Sequence, residues 1–350
     1  MMRWQGGLLS LLLGVYIAGV LSVAAEPRGG AHLKPSSPRP TGLVYHPDFL
    51  LHDPGPHHPE RPARLQAIMD HLKRSGLLGA LLLIDSEPAR EQWITRVHTP
   101  TYLRQLQSAV RQAPANLDTD TRVSRQSYDV ARRAVGGVLA AVDAVMAGTA
   151  KNAFAALRPP GHHALADRAM GFCLLNHVAI ATRYVQERYG VERVLIVDWD
   201  VHHGNATQEI FYRDPSVFFF STHQSPYYPG TGSPHEVGDG AGRGTTLNVP
   251  LAAGAGDAEI VQAFREKLVP AATAFQPEFV FISAGFDAHQ HDPLAHLQVT
   301  QAGYATLTRI VKQIADQSAN GRIVSVLEGG YHLDGLARSV EAHLRALDGQ

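Results

Sequence analysis

The chain has 350 residues, 45% of them apolar and 18% charged, which is enough to bury a large core and too apolar for a disordered or coiled-coil chain. Thirty-one basic residues against 32 acidic ones leave a formal charge of −1, so no global basic field exists to hold a nucleic-acid backbone or an anionic membrane. The single cysteine, Cys173, rules out an intramolecular disulfide framework and any cysteine-rich metal site. Nineteen histidines are instead available for ligation and proton transfer, most of them expected at the solvated surface or at helix ends.

Residues 1–25 carry one basic residue, Arg3, then an uncharged apolar stretch from Leu8 to Val23, then Ala24-Ala25 before Glu26. That is the layout of a signal peptide. The stretch is broken by Ser10, Gly14 and Gly19 and falls short of the roughly 20 apolar residues that span a bilayer. Export to the periplasm or medium is therefore expected, with an uncleaved N-terminal membrane anchor as the alternative. Residues 26–42 include four prolines and a Gly-Gly pair and read as a tether. The folded domain is expected over 43–347.

Within it, short apolar runs at 152–157, 194–197, 217–220, 279–283 and 323–327 predict strands. Segments of helical spacing separate them, among them 127–147, 178–189, 257–274 and 302–317. Continuous apolar strands between amphipathic helices predict an α/β fold, a single-domain open parallel sheet covered by helices on both faces. Unusual residues follow four of the strands: Arg158-Pro-Pro-Gly-His162-His163, Asp198-Trp-Asp200-Val-His202-His203-Gly-Asn205, Ala284-Gly-Phe-Asp287 and Glu328-Gly-Gly-Tyr331. Open α/β sheets bind ligands beyond the carboxyl ends of their strands, so the four ends could converge on one pocket.

In an extended segment Asp198, Asp200 and His202 would share one side. Asp200 and His202 with Asp287 would make three protein ligands, the number that leaves a catalytic zinc its open position; the same oxygen-rich set would accept Fe²⁺ or Mn²⁺. His162 and His163 are expected to differ in protonation, because adjacent cations repel, and Asp198 would orient one of them. Tyr331, behind two glycines, could donate to a carbonyl oxygen opposite the metal. Gly171-Phe172-Cys173 and Tyr227-Tyr228 are candidate channel walls. Each also has an ordinary structural reading, as helix caps, ion-pair partners, exposed loop histidines or packed core.

Together these residues resemble the zinc-dependent histone deacetylase family, which includes acetylpolyamine and acetoin-utilisation proteins and has the arginase/deacetylase-like fold. The resemblance runs from Tyr45-His46 and His58-Pro-Glu-Arg-Pro-Ala-Arg-Leu65 through Arg158–Ala164, Met170–Cys173 with Asn176, Asp198–Gln208, Tyr228–Gly232, Ser283–Ala288 and Asp292-Pro-Leu294 to Glu328–Tyr331. It implies Asp200, His202 and Asp287 as ligands of one zinc per chain; His163 as general base and acid; His162, held by Asp198, as its electrostatic companion; and Tyr331 as the group polarising the acetyl carbonyl. It further implies a monovalent cation such as K⁺ held by Asp198, backbone carbonyls of Asp200 and His202, and Ser221. Gly171, Phe172 and Tyr228 would line the channel. Asn205 stands where some members carry an aspartate against the second histidine; with Glu328-Gly-Gly-Tyr331 it points to the class II branch. The rim aspartate that holds the substrate backbone falls on Asp118, or else on Asp120.

The implied reaction is hydrolysis of an acetyl amide on a lysine side chain or small amine through a metal-activated water. The partner is then an acetylated lysine peptide or acetylated amine, with no nucleic acid and no obligatory protein partner expected. An acetylpolyamine amidohydrolase would have the same site chemistry. A two-manganese ureohydrolase would need further carboxylates where His203 and Asn205 stand. A non-catalytic exported solute-binding protein would leave the four strand-end motifs unused. Serine hydrolysis is disfavoured, since no Gly-x-Ser-x-Gly elbow is present.

Overall fold

The computed structural model describes residues 39–350, so the expected signal peptide and nearly all of the expected tether lie outside the described residues. In chain order the strands are β1 (Thr41–Val44), β2 (Leu82–Ile84), β3 (Ala115–Asn116), β4 (Arg122–Val123), β5 (Asn152–Ala155), β6 (Val194–Asp198), β7 (Val217–Gln224), β8 (Thr246–Leu251), β9 (Phe279–Ala284) and β10 (Ile323–Leu327). The helices are α1 (Ala63–Arg74), α2 (Glu91–Ile94), α3 (Pro100–Arg111), α4 (Ser127–Met146), α5 (His177–Tyr189), α6 (Asn205–Phe211), α7 (Asp257–Ala263), α8 (Val269–Phe275), α9 (Gln301–Ser318) and α10 (Leu333–Asp348).

Eight strands form one sheet in the order β2-β1-β5-β10-β9-β6-β7-β8, and every pairing is parallel. Strands β5, β6, β7, β9 and β10 are buried along their whole length, as expected of a parallel sheet whose two faces are both covered. Helices α4 and α5 pack together, as do α1, α9 and α10, and both groups touch the sheet. The apolar runs at 152–157, 194–197, 217–220, 279–283 and 323–327 all prove to be strands. Strands β1 and β2 are only four and three residues long, and β8 alternates polar with apolar residues, so none of the three is among the runs expected from the sequence.

The chain from 257 to 275 is helical throughout, as its spacing predicts, with a π-helical turn at Phe264–Leu268 between α7 and α8. Pro270 lies in the first turn of α8 and has no N–H to give to the preceding turn. One expectation is corrected: the fold begins earlier than Leu43, because Thr41 already pairs with Asn152 in the sheet.

The sheet order fixes the place of the site. Strands β5, β10, β9 and β6 lie side by side at its centre, and these are the four whose carboxyl ends lead into the unusual motifs.

Candidate active site

Strand β6 ends at Asp198, and the chain beyond it curls rather than running on extended. Asp198 Oδ1 accepts from Asp200 N at 3.1 Å, and Asp200 Oδ1 accepts from His202 N at 2.9 Å. Such carboxylate-to-backbone turns compete with regular structure wherever aspartates recur at this spacing. The expectation that Asp198, Asp200 and His202 share one extended face is therefore corrected. Asp200 and His202 still meet, while Asp198 Oδ2 turns to His162 Nδ1 at 3.0 Å.

Asp287, just past β9, completes a group of three whose ligand atoms all lie within 4.8 Å of one another. His202 Nδ1 is 3.0 Å from Asp200 Oδ1 and 3.3 Å from Asp287 Oδ2. Ligand atoms about 2.1 Å from a tetrahedral ion stand about 3.4 Å apart, so the spacing suits a single zinc-sized ion. Asp287 Oδ1 accepts from Val201 N, but its Oδ2 is buried with no hydrogen-bond partner. The packing leaves no spare room around these carboxylates: a Cβ on Gly285 would lie 2.1 Å from Asp200 Oδ2, and one on Gly329 1.9 Å from Asp287 Oδ2. The donor set and its orphaned oxygen fit a metal. A second group, His162, Cys173 and Glu328, is as close, but its polar atoms are already engaged by Asp198, Gly171 O and two backbone N–H groups.

The histidine pair follows β5. His162 is buried against three carboxylates. Burial opposes its charge, but Asp198, Asp200 and Glu328 outweigh burial and push it up to about 10. His163 is held well below the usual imidazole range by burial and by the neighbouring His162 and His202. The expected difference in protonation is present, in the direction of a cationic His162 and a neutral His163. His163 Nδ1–H donates to the Asn205 side-chain oxygen at 2.7 Å, which leaves the Nε2 lone pair as the ring's acceptor.

Tyr331 follows β10. Its backbone N–H donates to Asp292 Oδ2 at 2.6 Å, and the Arg64 guanidinium lies 4.9 Å from its ring centroid. Burial pushes the phenol well above its ordinary value, so the hydroxyl stays a donor.

His162, His163, His202 and Tyr331 open on one cavity of about 290 Å³, whose other lining residues include Asp120, Gly171, Phe172, Tyr227, Tyr228 and Leu294. The Tyr228 ring meets His163 edge-on at 5.2 Å, and Tyr227 stacks on His202 at 5.7 Å. Gly171 is required here, since a Cβ would lie 2.4 Å from the His163 ring.

Two wall assignments are corrected. Asp118 does not line the cavity; Asp120 does, because the Asp118 carboxylate turns back to cap Asp120 N and Thr121 N at 3.0 and 2.6 Å. Cys173 is fully buried behind the wall, its thiol directed to Gly171 O. Ser221 is placed beside Asp198 by the β6–β7 register, and its hydroxyl is 3.0 Å from His223 Nδ1.

Several residues of the site carried no assigned role in the sequence. Glu328 Oε2 accepts from Gly161 N and His162 N at 2.7 and 3.2 Å. Asp292 accepts from Tyr331 N and His332 N. Glu60, Arg64 and Arg158 form a buried network beneath both loops. The only signal for them was their place inside the resembling motifs. Many of the remaining histidines are also not at the surface: His52, His98, His177, His203, His223, His289 and His343 are buried.

The profile of the histone deacetylase domain matches residues 58–347. The chain belongs to the histone deacetylase family. Its sequence is 43% identical over 297 residues to a probable deacetylase of Archaeoglobus fulgidus, covering 84% of this chain and 82% of the relative. It is 41% identical over 274 residues to a histone deacetylase-like amidohydrolase of Pseudomonas aeruginosa, covering 78% and 71%. Among solved structures, the HD domain of HDA15 superposes with a TM-score of 0.85 at 39% identity, covering 89% of each chain. This histone deacetylase family member, whose relatives are named deacetylases and amidohydrolases, has an arginase/deacetylase-like α/β fold and presents its motif residues at the carboxyl ends of a parallel sheet.

Proposed function

We propose that the protein is a zinc-dependent amidohydrolase that removes acetyl groups from lysine side chains or small amines. The observation that carries this reading is the convergence on one cavity of His202, which forms the three-residue group with Asp200 and with Asp287 and its unpartnered oxygen, of the neutral His163 and of Tyr331. Asp200, His202 and Asp287 would hold the ion, which when bound supplies Lewis acidity toward a carbonyl oxygen and a lowered pKa for water.

The protein's own groups do the rest. His163 Nε2 accepts a proton from the attacking water and later returns it to the leaving amine. His162, charged and tied to Asp198, stays out of the transfer and stabilises negative charge developing nearby. The Tyr331 hydroxyl donates to the acetyl oxygen as that charge appears. Phe172, Tyr227 and Tyr228 exclude water from the path of the lysine stem. A monovalent cation beside Asp198 and Ser221 belongs to the same reading, as does export by residues 1–25.

Tyr331→Phe tests it. The variant should bind zinc in full by elemental analysis yet lose at least about 100-fold in turnover of an acetyl-lysine peptide, the usual order for removing one oxyanion donor. Unchanged turnover would overturn the assignment.

A further inference from the structure

A second cavity of about 300 Å³ adjoins the mouth of the first and shares Asp120 with it. Two residues separate them. His58 Nε2–H donates to Asp120 O, 3.0 Å away, and its ring meets the channel residue Phe172 edge-on at 4.6 Å. One wall contains Pro54, Pro56 and Pro59, whose fixed φ angles give the concavity a preset shape. Over Gly55 the backbone runs at φ +118°, and the absence of a side chain lets the Arg122 guanidinium lie against it; a Cβ there would be 3.3 Å from Arg122 Nη1.

The chemistry of this cavity differs from that of the catalytic one. Arg122, His57, Asn116 and Thr119 line it, and none of their side chains has a hydrogen-bond or ion-pair partner among the described residues. All four present donors. Neither neighbouring acid pairs with Arg122: the Asp118 carboxylate is turned to Asp120 N and Thr121 N, and Asp120 Oδ1 accepts from the Thr121 hydroxyl.

We propose that this cavity is a subsite for a carboxylate carried by the residue next to the acylated lysine, so that the enzyme prefers acetyl-lysine in an acidic context over acetylated polyamines. The inference rests on the deacylase reading above. A lysine stem entering past Asp120 leaves its flanking residue at the His58–Asp120 partition, where a planar carboxylate can be met by the Arg122 fork and by the Asn116 and Thr119 donors beside it.

The zinc-loaded protein is given matched acetyl-lysine peptides with Glu, Gln or Lys on either side of the acetyl-lysine. Expected is a KM about two- to fivefold lower for Glu than for Lys at one of the two positions, as befits a solvent-exposed charge contact. The gap should narrow in 0.5 M salt and reverse in Arg122→Glu, with kcat unchanged throughout. Equal KM values across the peptides, or a preference that Arg122→Glu leaves intact, would overturn the subsite. Absence of turnover on every peptide would strike the deacylase reading itself, and the subsite with it.

Discussion

Glu60 and Arg158 form a fully buried bidentate pair, with Arg158 Nε and Nη2 at 2.6 and 2.7 Å from the two carboxylate oxygens. Arg158 begins the loop that carries His162 and His163. The same carboxylate accepts from Arg64 Nη1 at 3.1 Å, and Arg64 in turn donates to Glu328 O and Gly330 O at 2.6 Å each, at the root of the Tyr331 loop. One acid thus fastens the loop of the base to the loop of the electrophile. Burial opposes the Glu60 charge, but Arg158, His52 and Arg64 hold its carboxyl well below the usual range.

Glu60→Gln should therefore destabilise the fold by about 3–5 kcal/mol, since it leaves two buried arginines short of charge. Urea denaturation of the variant measures this. A loss under 1 kcal/mol would show that the network is energetically idle.

Stability should fall on acidification well above the carboxylate range. Burial lowers His98 and His177 to about 4 and His343 to about 3. The unfolded chain takes up these protons near pH 6.5, whereas the native state does not until pH 3 to 4. Each group's contribution is therefore complete above pH 6.5 and is lost as the pH drops toward 4, by at most about 1.4 kcal/mol per pH unit per histidine. His98 is committed to the neutral form from both sides, with Nδ1 donating to Leu165 O and Nε2 accepting from Asn176 N. His98→Gln should flatten the slope of unfolding free energy between pH 6.5 and 5; an unaltered slope would remove His98 from this account.

Glu328 separates a charge requirement from a positioning one. Glu328→Ala strands two buried donors, Gly161 N and His162 N, at about 1–3 kcal/mol each. It should lower both stability and kcat. Glu328→Gln retains a carbonyl acceptor and should recover most of the kcat. If glutamine fails as badly as alanine, the carboxylate charge near His162 is what matters.

Phe172 is the strained wall residue, at φ 68° beside Gly171 at φ 56°, a region costly for an aromatic side chain by about 1–3 kcal/mol. Its N–H donates to the buried Thr121 hydroxyl at 3.0 Å, and Thr121 in turn donates to Asp120 Oδ1 at 3.1 Å. Thr121→Val should raise KM for acetyl-lysine peptides several-fold, and Thr121→Ser should restore it. A Thr121→Val enzyme with native KM would show that the channel wall holds itself.

The sequence determined the elements whose signal is local. Runs such as 279–283 and 323–327 are apolar throughout because both faces of their strands are covered, and the polar motifs at their ends stand out for that reason. Asp200, His202, Asp287, His162, His163 and Tyr331 were all legible as chemistry-bearing residues. What the sequence could not contain was the order of the strands, which alone makes β5, β10, β9 and β6 neighbours and turns four distant motifs into one site. Nor could it show which of two aspartates in Leu117–Thr121 faces the cavity, since that depends on Asp118 bending back to cap its own turn. The buried Glu60–Arg64–Arg158 network and the interior histidines were invisible for the same reason: charged and imidazole groups are ordinarily solvated, and only the tertiary structure supplies the partners that make their burial tolerable.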